Sequence, residues 1–244
     1  MIIENGELKI KKDYKEALIK IIYEDNHLLV VEKPVNIPSQ KDESNDPDML
    51  SILKQDLKTR FNKPGDVYLG LVHRLDRPVG GLMVFAKTSK AASRLSEQIR
   101  KGEFKKLYLT IVHGALREQS GKLVNYLLKD SNTNTVTSVN QDVEGSKEAV
   151  LEYAGLEYNN GLSLVKINLV TGRSHQIRVQ FSAIGHPIFG DQKYGEKMNK
   201  PGQQIALWSN KIVLNHPTKN EAMTFICDPP KIKPWIYFED ITGK

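Results

Sequence analysis

Three short clusters in this chain carry side chains that could take part in acid–base or nucleophilic chemistry. The sequence HRLD ends at Asp76 and offers a carboxylate, KKLY ends at Tyr108 and offers a phenol, and TGRSHQIR ends at Arg178 and offers a guanidinium. A carboxylate can act as a base or as a nucleophile. A guanidinium can hold a carboxylate through two parallel hydrogen bonds and keep it ionised. These clusters therefore hold the candidate functional residues.

Each cluster taken alone also has an ordinary structural explanation. An aspartate before Arg-Pro is commonly a turn former or an ion-pair partner, so Asp76 could have either role. Tyr108, at the head of a predicted strand, could be half-buried packing. The third cluster could be a polar turn before a solvated helix start. Arg178, however, would lie next to the apolar face of that helix, where a guanidinium needs a carboxylate partner.

Several common classes of site are not indicated by the sequence. It lacks the motifs GxxxxGK[ST], GxGxxG, HExxH and GxSxG, which serve phosphate, dinucleotide, zinc and hydrolase sites. His175 and His186 are eleven residues apart without an acidic or cysteine partner at ligand spacing. The single cysteine, Cys227, excludes an internal disulfide and a cysteine-rich zinc site. We therefore expect no metal, and we interpret the histidines as structural or as facing a binding partner.

Composition indicates a globular, basic protein. Hydrophobic residues make up 39% of the 244 residues, charged residues make up 26%, and the formal net charge is +6. A charge of this size is compatible with a polyanion partner but does not require one, since many basic proteins merely carry solvated lysines. No apolar run approaches the ~20 residues that span a bilayer, and the N-terminal sequence has no apolar signal region. We expect a cytoplasmic protein without a membrane segment.

Strand and helix patterns surround the clusters without a regular β-α-β rhythm, and hairpins are frequent. The predicted elements are two strands in ALIKIIYEDNHLLVVEKP around a turn at Asp25-Asn26, a helix from a cap at Asp48 to about Phe61, a helix from a cap at Thr88 or Ser89 to Gly102, a strand at KKLYLTIVHGAL, a hairpin around Asn159-Asn160-Gly161, a helix capped by Ser174 and closed by Gly185, and a final strand pair. The long charged loop NIPSQKDESNDPD is expected to move or to cover something. This pattern predicts an α+β protein with a large, mostly antiparallel sheet.

Taken together, the clusters match one protein family. HRLD is followed by a Gly-Leu-apolar run and Ala-Lys, K-x-Tyr opens a strand that ends in Val-x-Gly, and LVTGRSHQIRVQFSAIGHPIFGDQKYG comes after both. The chain resembles the pseudouridine synthases of the RluA family. DNHLLVVEKPVNIP is similar to the opening strand of that family and LNHPTKNEAMTFICDPP to its closing strand. The resemblance runs from Tyr23 to Pro230, and the third block is its most specific part.

The resemblance implies a fold, a reaction and a partner. The implied fold is α+β, with a large, mostly antiparallel mixed sheet, flanking helices and a central RNA-binding cleft. We expect an N-terminal leader at 1–16 and a pseudouridine synthase catalytic domain at 17–244, without a separate N-terminal RNA-binding domain. The implied reaction isomerises uridine to pseudouridine in structured RNA after base flipping, without a cofactor. The expected partner is a stem-loop of ribosomal or transfer RNA, bound by a monomer that needs no obligatory protein partner.

The resemblance also assigns roles to residues. The essential aspartate of the family falls on Asp76, the arginine that pairs with it falls on Arg178, and the tyrosine that stacks on the target uracil falls on Tyr108. Arg74 matches the arginine that fills the space left by the flipped base. Further RNA contacts are expected at His73, Lys106, Arg173, His175 and Gln176. Lys87, Lys105 and Lys193 could contact phosphate or could simply be solvated.

Three positions depart from the family pattern. Val79-Gly80-Gly81 replaces the usual Thr-Ser-Gly, so two hydroxyls are lost beside the aspartate. Asn36 stands where glycine is common, and because asparagine tolerates positive φ, the turn there can survive. Trp208 stands where histidine is common. These departures put the RNA substrate in doubt rather than the reaction.

Two other functions stay open at this point. The chain could be a non-catalytic RNA-binding domain with the same fold. It could also be a nucleoside or glycoside hydrolase, which generally needs two carboxylates ~5–9 Å apart, and Asp191 is the best second carboxylate. Whether Asp76 would act on C1′, on C6 of uracil or on the C2′ proton is also left open by the sequence.

Overall fold

The computed structural model describes residues 2–4, 7–12 and 15–239, with side chains described from residue 19 onward. These residues form thirteen β-strands, three α-helices and one 3-10 helix. The strands are β1 (Ile2–Glu4), β2 (Glu7–Lys12), β3 (Lys15–Glu24), β4 (Leu28–Lys33), β5 (Gly70–Leu71), β6 (Gly80–Ala86), β7 (Lys105–His113), β8 (Ser120–Asp130), β9 (Thr135–Val139), β10 (Lys147–Asn159), β11 (Leu162–Leu169), β12 (Leu207–Asn215) and β13 (Ala222–Ile226). The helices are α1 (Met49–Arg60), α2 (Ser89–Lys101), α3 (Gln176–Ala183) and the 3-10 helix Trp235–Tyr237.

The chain forms two compact units. The first contains residues 1–104 and 211–227, and the second contains residues 105–210 and 228–244. The predicted leader and catalytic domain stay predictions, and parts of both (residues 1, 5, 6, 13, 14 and 240–244) lie outside the described residues. Strands β1 and β2 fall within the range predicted as a leader.

The first unit is built on an antiparallel sheet in the order β1-β2-β3-β4-β6, and β5 also pairs with β6. Strand β6 is buried along its whole length, and the apolar run of β4 is fully buried beside it. The predicted turn at Asp25-Asn26 is confirmed, because the Asp25 carboxylate accepts hydrogen bonds from the His27 and Leu28 N–H groups. Apolar burial thus fixes β4 and β6, and β6 begins directly after the turn that follows HRLD.

Both predicted helices of the first unit are confirmed. Asp48 caps α1 by accepting from the Ser51 N–H at 3.1 Å, and Thr88 caps α2 by accepting from the Ala91 N–H at 3.2 Å. Gly102 ends α2 with φ 72°, a conformation that glycine adopts without strain. These ends were predictable because a cap is a local interaction.

The second unit carries an antiparallel sheet in the order β7-β11-β10-β8-β9, with α3 against β8 and β9. The predicted hairpin of β10 and β11 is confirmed, whereas the hairpin of β8 and β9 was not predicted. The predicted Ser174 cap is wrong, since α3 begins after His175, which has φ 50° and makes no capping hydrogen bond. The side chain of Gln176 satisfies the preceding turn instead, and Gly185 follows the helix with φ 82°.

The predicted α+β class with a large, mostly antiparallel sheet is confirmed. Within the described part of the chain, none of the helices combines the length and apolar character needed to cross a membrane. The predicted central cleft stays a prediction.

A hydrogen-bonded His–Asp pair joins two turns of the first unit. His216 is fully buried, and its Nε2 lies 2.8 Å from Asp25 Oδ2. The N–H groups of Thr218 and Lys219 point at Nδ1, so Nε2 carries the proton that bonds Asp25. Burial alone would raise the pKa of Asp25, but hydrogen bonds from His27, Leu28, His216 and Tyr23 outweigh burial and lower it.

We therefore expect Asp25→Asn to flatten the acid dependence of stability. A carboxylate with a depressed pKa stabilises the fold above its unfolded pKa and loses that contribution as the pH falls. Urea denaturation at about pH 6 and about pH 3 should show a smaller drop in unfolding free energy for this variant than for the wild type. Asp142→Asn, at an exposed carboxylate, should keep the wild-type drop. An unchanged drop in Asp25→Asn would contradict the assignment.

Candidate active site

Asp76 lies in the first unit, on the segment that joins β5 to β6. Its side chain is half-buried. Its carbonyl oxygen accepts the Val79 N–H at 3.0 Å, so residues 76–79 close a tight turn around Arg77-Pro78. The carboxylate is therefore carried on a short, hydrogen-bonded turn rather than on an extended loop.

A buried ammonium fastens this turn to the sheet. Lys33, at the end of β4, is fully buried, and its Nζ donates to Pro34 O at 2.9 Å, to Arg77 O at 3.0 Å and to Val79 O at 2.7 Å. Burial lowers the pKa of Lys33 to about 7, while the nearby charge of Asp76 acts in the opposite direction. Lys33 is thus coupled to Asp76 through both geometry and charge.

Two further side chains hold the residues before Asp76. Ser39 Oγ donates to Leu75 O at 2.7 Å and accepts from Leu75 N at 3.1 Å. It thus holds the backbone of the residue directly before Asp76. His73 Nε2 accepts the Val84 N–H of β6 at 3.0 Å, and its ring packs on Phe104 at 5.4 Å. The RNA contact predicted for His73 stays a prediction, and the structure adds an anchoring role.

Arg77 ties the Asp76 turn to the long charged loop of the first unit. Its Nη2 donates to Asp46 at 2.8 Å and to Ser44 Oγ at 2.5 Å, and it lies 3.5 Å from Asp42. These bonds place the acidic loop beside the turn that carries Asp76. Arg77 therefore joins the loop to that turn, and the expectation that the loop moves or covers something stays a prediction.

The asparagine departure has a structural explanation, whereas nothing in the structure explains the replacement of Thr-Ser by Val79-Gly80. Asn36 adopts φ 65°, so the turn that usually contains glycine is preserved, as predicted. Gly81, which matches the glycine of the family pattern, adopts φ 107°, a conformation that residues with side chains rarely adopt, and it pairs with Lys33.

Arg74 and Lys87 lie in different surroundings within the first unit. Arg74 is exposed and makes no hydrogen bond or ion pair to another described residue, which leaves its guanidinium available. Lys87 forms an ion pair with Glu24 at 2.6 Å and lies 5.0 Å from the Phe61 ring centre. It lines a cavity of about 400 Å³ that is lined by no other residue of the predicted site.

Tyr108 lies on β7 in the second unit. It is 5% exposed and pairs with Ile167 of β11. Tyr108 is therefore more deeply buried than the half-buried packing that its sequence pattern allowed. Lys106 lies two residues earlier on the same face of the strand and is also buried. Burial lowers the pKa of Lys106.

Arg178 is buried on α3 and has a carboxylate partner within its unit. Its Nε and Nη2 each donate to one oxygen of Asp191, both at 2.8 Å, which is bidentate geometry. Asp191 is 1% exposed and also accepts the N–H groups of Lys193 and Tyr194. The predicted need of Arg178 for a carboxylate is confirmed, and the partner seen here is Asp191, while its expected pairing with Asp76 stays a prediction.

Tyr194 connects Arg178 to the rest of the third cluster. Arg178 Cζ lies 5.1 Å from the centre of the Tyr194 ring, in cation–π contact. The Tyr194 hydroxyl accepts the Val136 N–H of β9 at 2.9 Å and lies 2.7 Å from His175 Nδ1. His175 therefore has a protein partner, and its predicted RNA contact stays a prediction.

Gln176 organises the turn before α3. It is 3% exposed, its Oε1 accepts from Thr171 Oγ1 and the Arg173 N–H, and its Nε2 donates to Val150 O. Arg173 is exposed, and its Nε donates to Glu148 O at 2.9 Å. Both predicted RNA contacts stay predictions, but the buried amide of Gln176 already makes three hydrogen bonds within its unit.

Sequence reasoning missed Lys33, Ser39 and Tyr194 as residues that shape the site. Lys33 offered a signal, because it stands two residues after the apolar run LLVV of a strand. A lysine that is buried in such a strand needs partners for its charge. Ser39 and Tyr194 offered none. Among the described residues, no group of three or more His, Cys, Asp or Glu side chains is placed to hold a metal ion.

Comparison with known proteins gives one consistent family. The family model for RNA pseudouridylate synthase matches residues 27–183. An uncharacterized RNA pseudouridine synthase of Bacillus subtilis, YhcT, is 34% identical over 206 residues, which cover 83% of this chain and 66% of that protein. The dual-specificity RNA pseudouridine synthase RluA of Haemophilus influenzae is 34% identical over 212 residues, which cover 86% of this chain and 93% of that protein.

A solved structure supports the fold. The human RNA pseudouridylate synthase domain containing 4 matches with a TM-score of 0.73 and 22% identity, over 86% of this chain and 88% of that one. The chain spans about two thirds of the length of the Bacillus relative.

We expect Lys33→Met to loosen the Asp76 turn. The variant leaves the buried carbonyls of Arg77 and Val79 without their donor, and each unmade bond costs about 1–3 kcal/mol. Hydrogen exchange of the Val79 amide should therefore accelerate by roughly tenfold to a hundredfold. Lys41→Met, at an exposed lysine, is the control and should leave this exchange unchanged. Full protection of Val79 in Lys33→Met would show that the ammonium does not hold the turn.

We expect Asp191→Asn to destabilise the second unit strongly. It leaves the Arg178 guanidinium buried without its carboxylate, and breaking a buried pair costs about 3–5 kcal/mol. Urea denaturation measures the change in unfolding free energy. Glu97→Gln, which breaks the exposed pair with Lys101, is the matched control and should stay near wild type. If the two variants were equally stable, the buried pair would carry no special weight.

Proposed function

Because this chain belongs to the RNA pseudouridylate synthase family, we propose that it isomerises uridine to pseudouridine in structured RNA. The N1–C1′ bond breaks, the uracil turns within the site, C5 bonds to C1′, and the C5 proton is exchanged for one on N1. The observation that carries the proposal is the family match together with an HRLD segment whose aspartate sits on a rigid turn. A relative named as a dual-specificity RNA pseudouridine synthase supports RNA as the substrate.

Asp76 is the proposed catalytic carboxylate. The turn that carries it is fixed from several sides, by Lys33, Ser39 and Arg77, and such fixing keeps a reacting group in a productive geometry. Attack on C1′, addition to C6 and removal of the C2′ proton all require this carboxylate in its ionised form. The proposal covers these three routes equally.

Tyr108 and Arg178 have proposed supporting roles. Tyr108 would stack on the flipped uracil, an interaction worth ~1–3 kcal/mol per base. Arg178 would pair with the catalytic carboxylate, and the bond to Asp191 supports this because it uses one N–H on Nε and one on Nη2 of a group with five N–H donors. Asp191 would then hold the guanidinium in place for its second partner.

The proposed RNA contacts follow the sequence prediction. Arg74 would fill the space left by the flipped base, and its exposed guanidinium, which bonds no other described residue, supports that role. The other proposed contacts are His73, Lys106, Arg173, His175 and Gln176. We further propose that the protein acts in the cytoplasm, as a monomer, on a ribosomal or transfer RNA stem-loop and without an obligatory protein partner.

The hydrolase alternative loses support at its second carboxylate. A glycosidase needs one carboxyl group that can release a proton to the leaving group. Asp191 is held by two hydrogen bonds from Arg178 and two from backbone N–H groups. Both oxygens of Asp191 are therefore already used as hydrogen-bond acceptors within the unit, which supports a structural role for this carboxylate.

We expect Asp76→Asn to abolish catalysis while leaving most RNA binding. Removal of the carboxylate should lower tritium release from RNA labelled at C5 of uridine by more than ~100-fold, while RNA affinity stays near wild type. Asp142→Asn, at an exposed carboxylate, is the control and should release tritium at the wild-type rate. Total RNA from a strain lacking the gene is the substrate.

Three other outcomes would change the functional conclusion. Full activity in Asp76→Asn would remove the proposed catalytic role. Wild-type protein that binds this RNA but releases no tritium would favour the non-catalytic RNA-binding alternative. Free uracil among the products would favour hydrolysis.

A further inference from the structure

Lys106 is a buried cation whose partner is not provided by its surroundings. The residue is 9% exposed, and its ammonium makes no hydrogen bond or ion pair with any other described residue. Two other buried cations differ in this respect, since Lys33 donates to three carbonyl groups and Arg178 is paired with Asp191. Burial of an unpaired charge opposes folding, so a largely buried lysine in these surroundings is a candidate for binding an anion.

The Lys106 ammonium lies against Gly172, and the space that a side chain at this position would occupy is called the gap below. A Cβ atom at Gly172 would lie 3.0 Å from Lys106 Nζ, so the ammonium sits against a residue that has no side chain. Gly172 itself is exposed. A group approaching from solvent over Gly172 would therefore reach the ammonium, and any larger side chain at this position would stand in the way.

The chemistry of the gap favours an anion with accessible oxygens. Lys106 presents a positive charge, and burial lowers its pKa. In such surroundings the attraction between this charge and a neighbouring negative charge is stronger than it would be in water. Lys106 and Tyr108 share one face of β7 two residues apart, a spacing of about 7 Å. A nucleotide has its phosphate separated from its base by the ribose, so one nucleotide can span the two residues.

We propose that Lys106 binds a backbone phosphate of the RNA, next to the uridine that stacks on Tyr108, through the gap over Gly172. The assignment rests on the proposed function, because Tyr108 is the proposed stacking residue. It singles out Lys106 from the other basic residues. Lys105, its neighbour in sequence, is exposed and lies on the opposite face of β7.

Binding of unfractionated transfer RNA at a series of salt concentrations tests the proposal. Lys106→Met should weaken binding about tenfold at low salt and reduce the slope of log affinity against log salt by about one. Lys105→Met is the matched control, since it removes the same charge one residue away, and it should change affinity less than twofold. Equal losses in the two variants, or an unchanged slope for Lys106→Met, would overturn the proposal.

Two further measurements separate phosphate binding from a role in folding. The melting temperature of Lys106→Met should equal or exceed that of the wild type, because the variant removes an unpaired buried charge; a lower value would indicate that the lysine serves the fold. Gly172→Ala keeps every charge but crowds the ammonium, so it should weaken RNA binding severalfold. Wild-type affinity in Gly172→Ala would count against access through the gap.

Side-chain resonances of labelled lysine, assigned with Lys106→Met, identify the source of the anion. Transfer RNA should raise the pKa of Lys106, whereas inorganic phosphate at the same phosphate concentration should raise it less. A rise with inorganic phosphate but none with RNA would overturn the proposal. Tritium release by the same wild-type preparation keeps the two proposals apart. If Lys106→Met lost RNA binding while the wild type released no tritium, the phosphate site would be supported and the proposed isomerase activity would not.

Discussion

The burial of positive charge is the constraint on which both units of this protein depend. In the first unit the ammonium of Lys33 is surrounded by carbonyl groups, and in the second the guanidinium of Arg178 is held by the Asp191 carboxylate. Such partners offset the desolvation of a buried cation, which would otherwise oppose folding. The backbone around each cation is consequently arranged to supply them. In both units this arrangement falls at the candidate functional residues.

The consequence in the first unit is a rigid support for Asp76. Lys33 donates hydrogen bonds to two carbonyls of the turn itself. In addition, Ser39 is hydrogen-bonded to the backbone of Leu75, and Arg77 is hydrogen-bonded to the acidic loop. The proposed reacting group, Asp76, is thus held in place indirectly. The residues next to it in the sequence form hydrogen bonds with groups elsewhere in the unit. The loss of the two hydroxyls usual after HRLD is compatible with this support, because none of these bonds uses a side chain at 79–81.

In the second unit the predicted RNA contacts also hold the protein together. Gln176 closes the turn before α3, and His175 is joined to Tyr194, whose ring covers Arg178. A sequence block can therefore combine structural and functional roles, and the two are separable only by experiment. Asp191 illustrates the point, since its position in the sequence suggested a second reactive carboxylate whereas its hydrogen bonds make it the anchor of a cation.

The sequence by itself determined the local features: the caps at Asp48 and Thr88, the Asp25 turn, the hairpin of β10 and β11, and the three clusters that match the family. Each depends on contacts within a few residues, or on a motif. Only the tertiary structure decided the partners of the buried polar groups. Lys33 bonds carbonyls 44 and 46 residues away, and Gln176 bonds one 26 residues away. Such partners are fixed by which backbone groups the assembled sheets leave unpaired, and that depends on strand order and register rather than on local sequence.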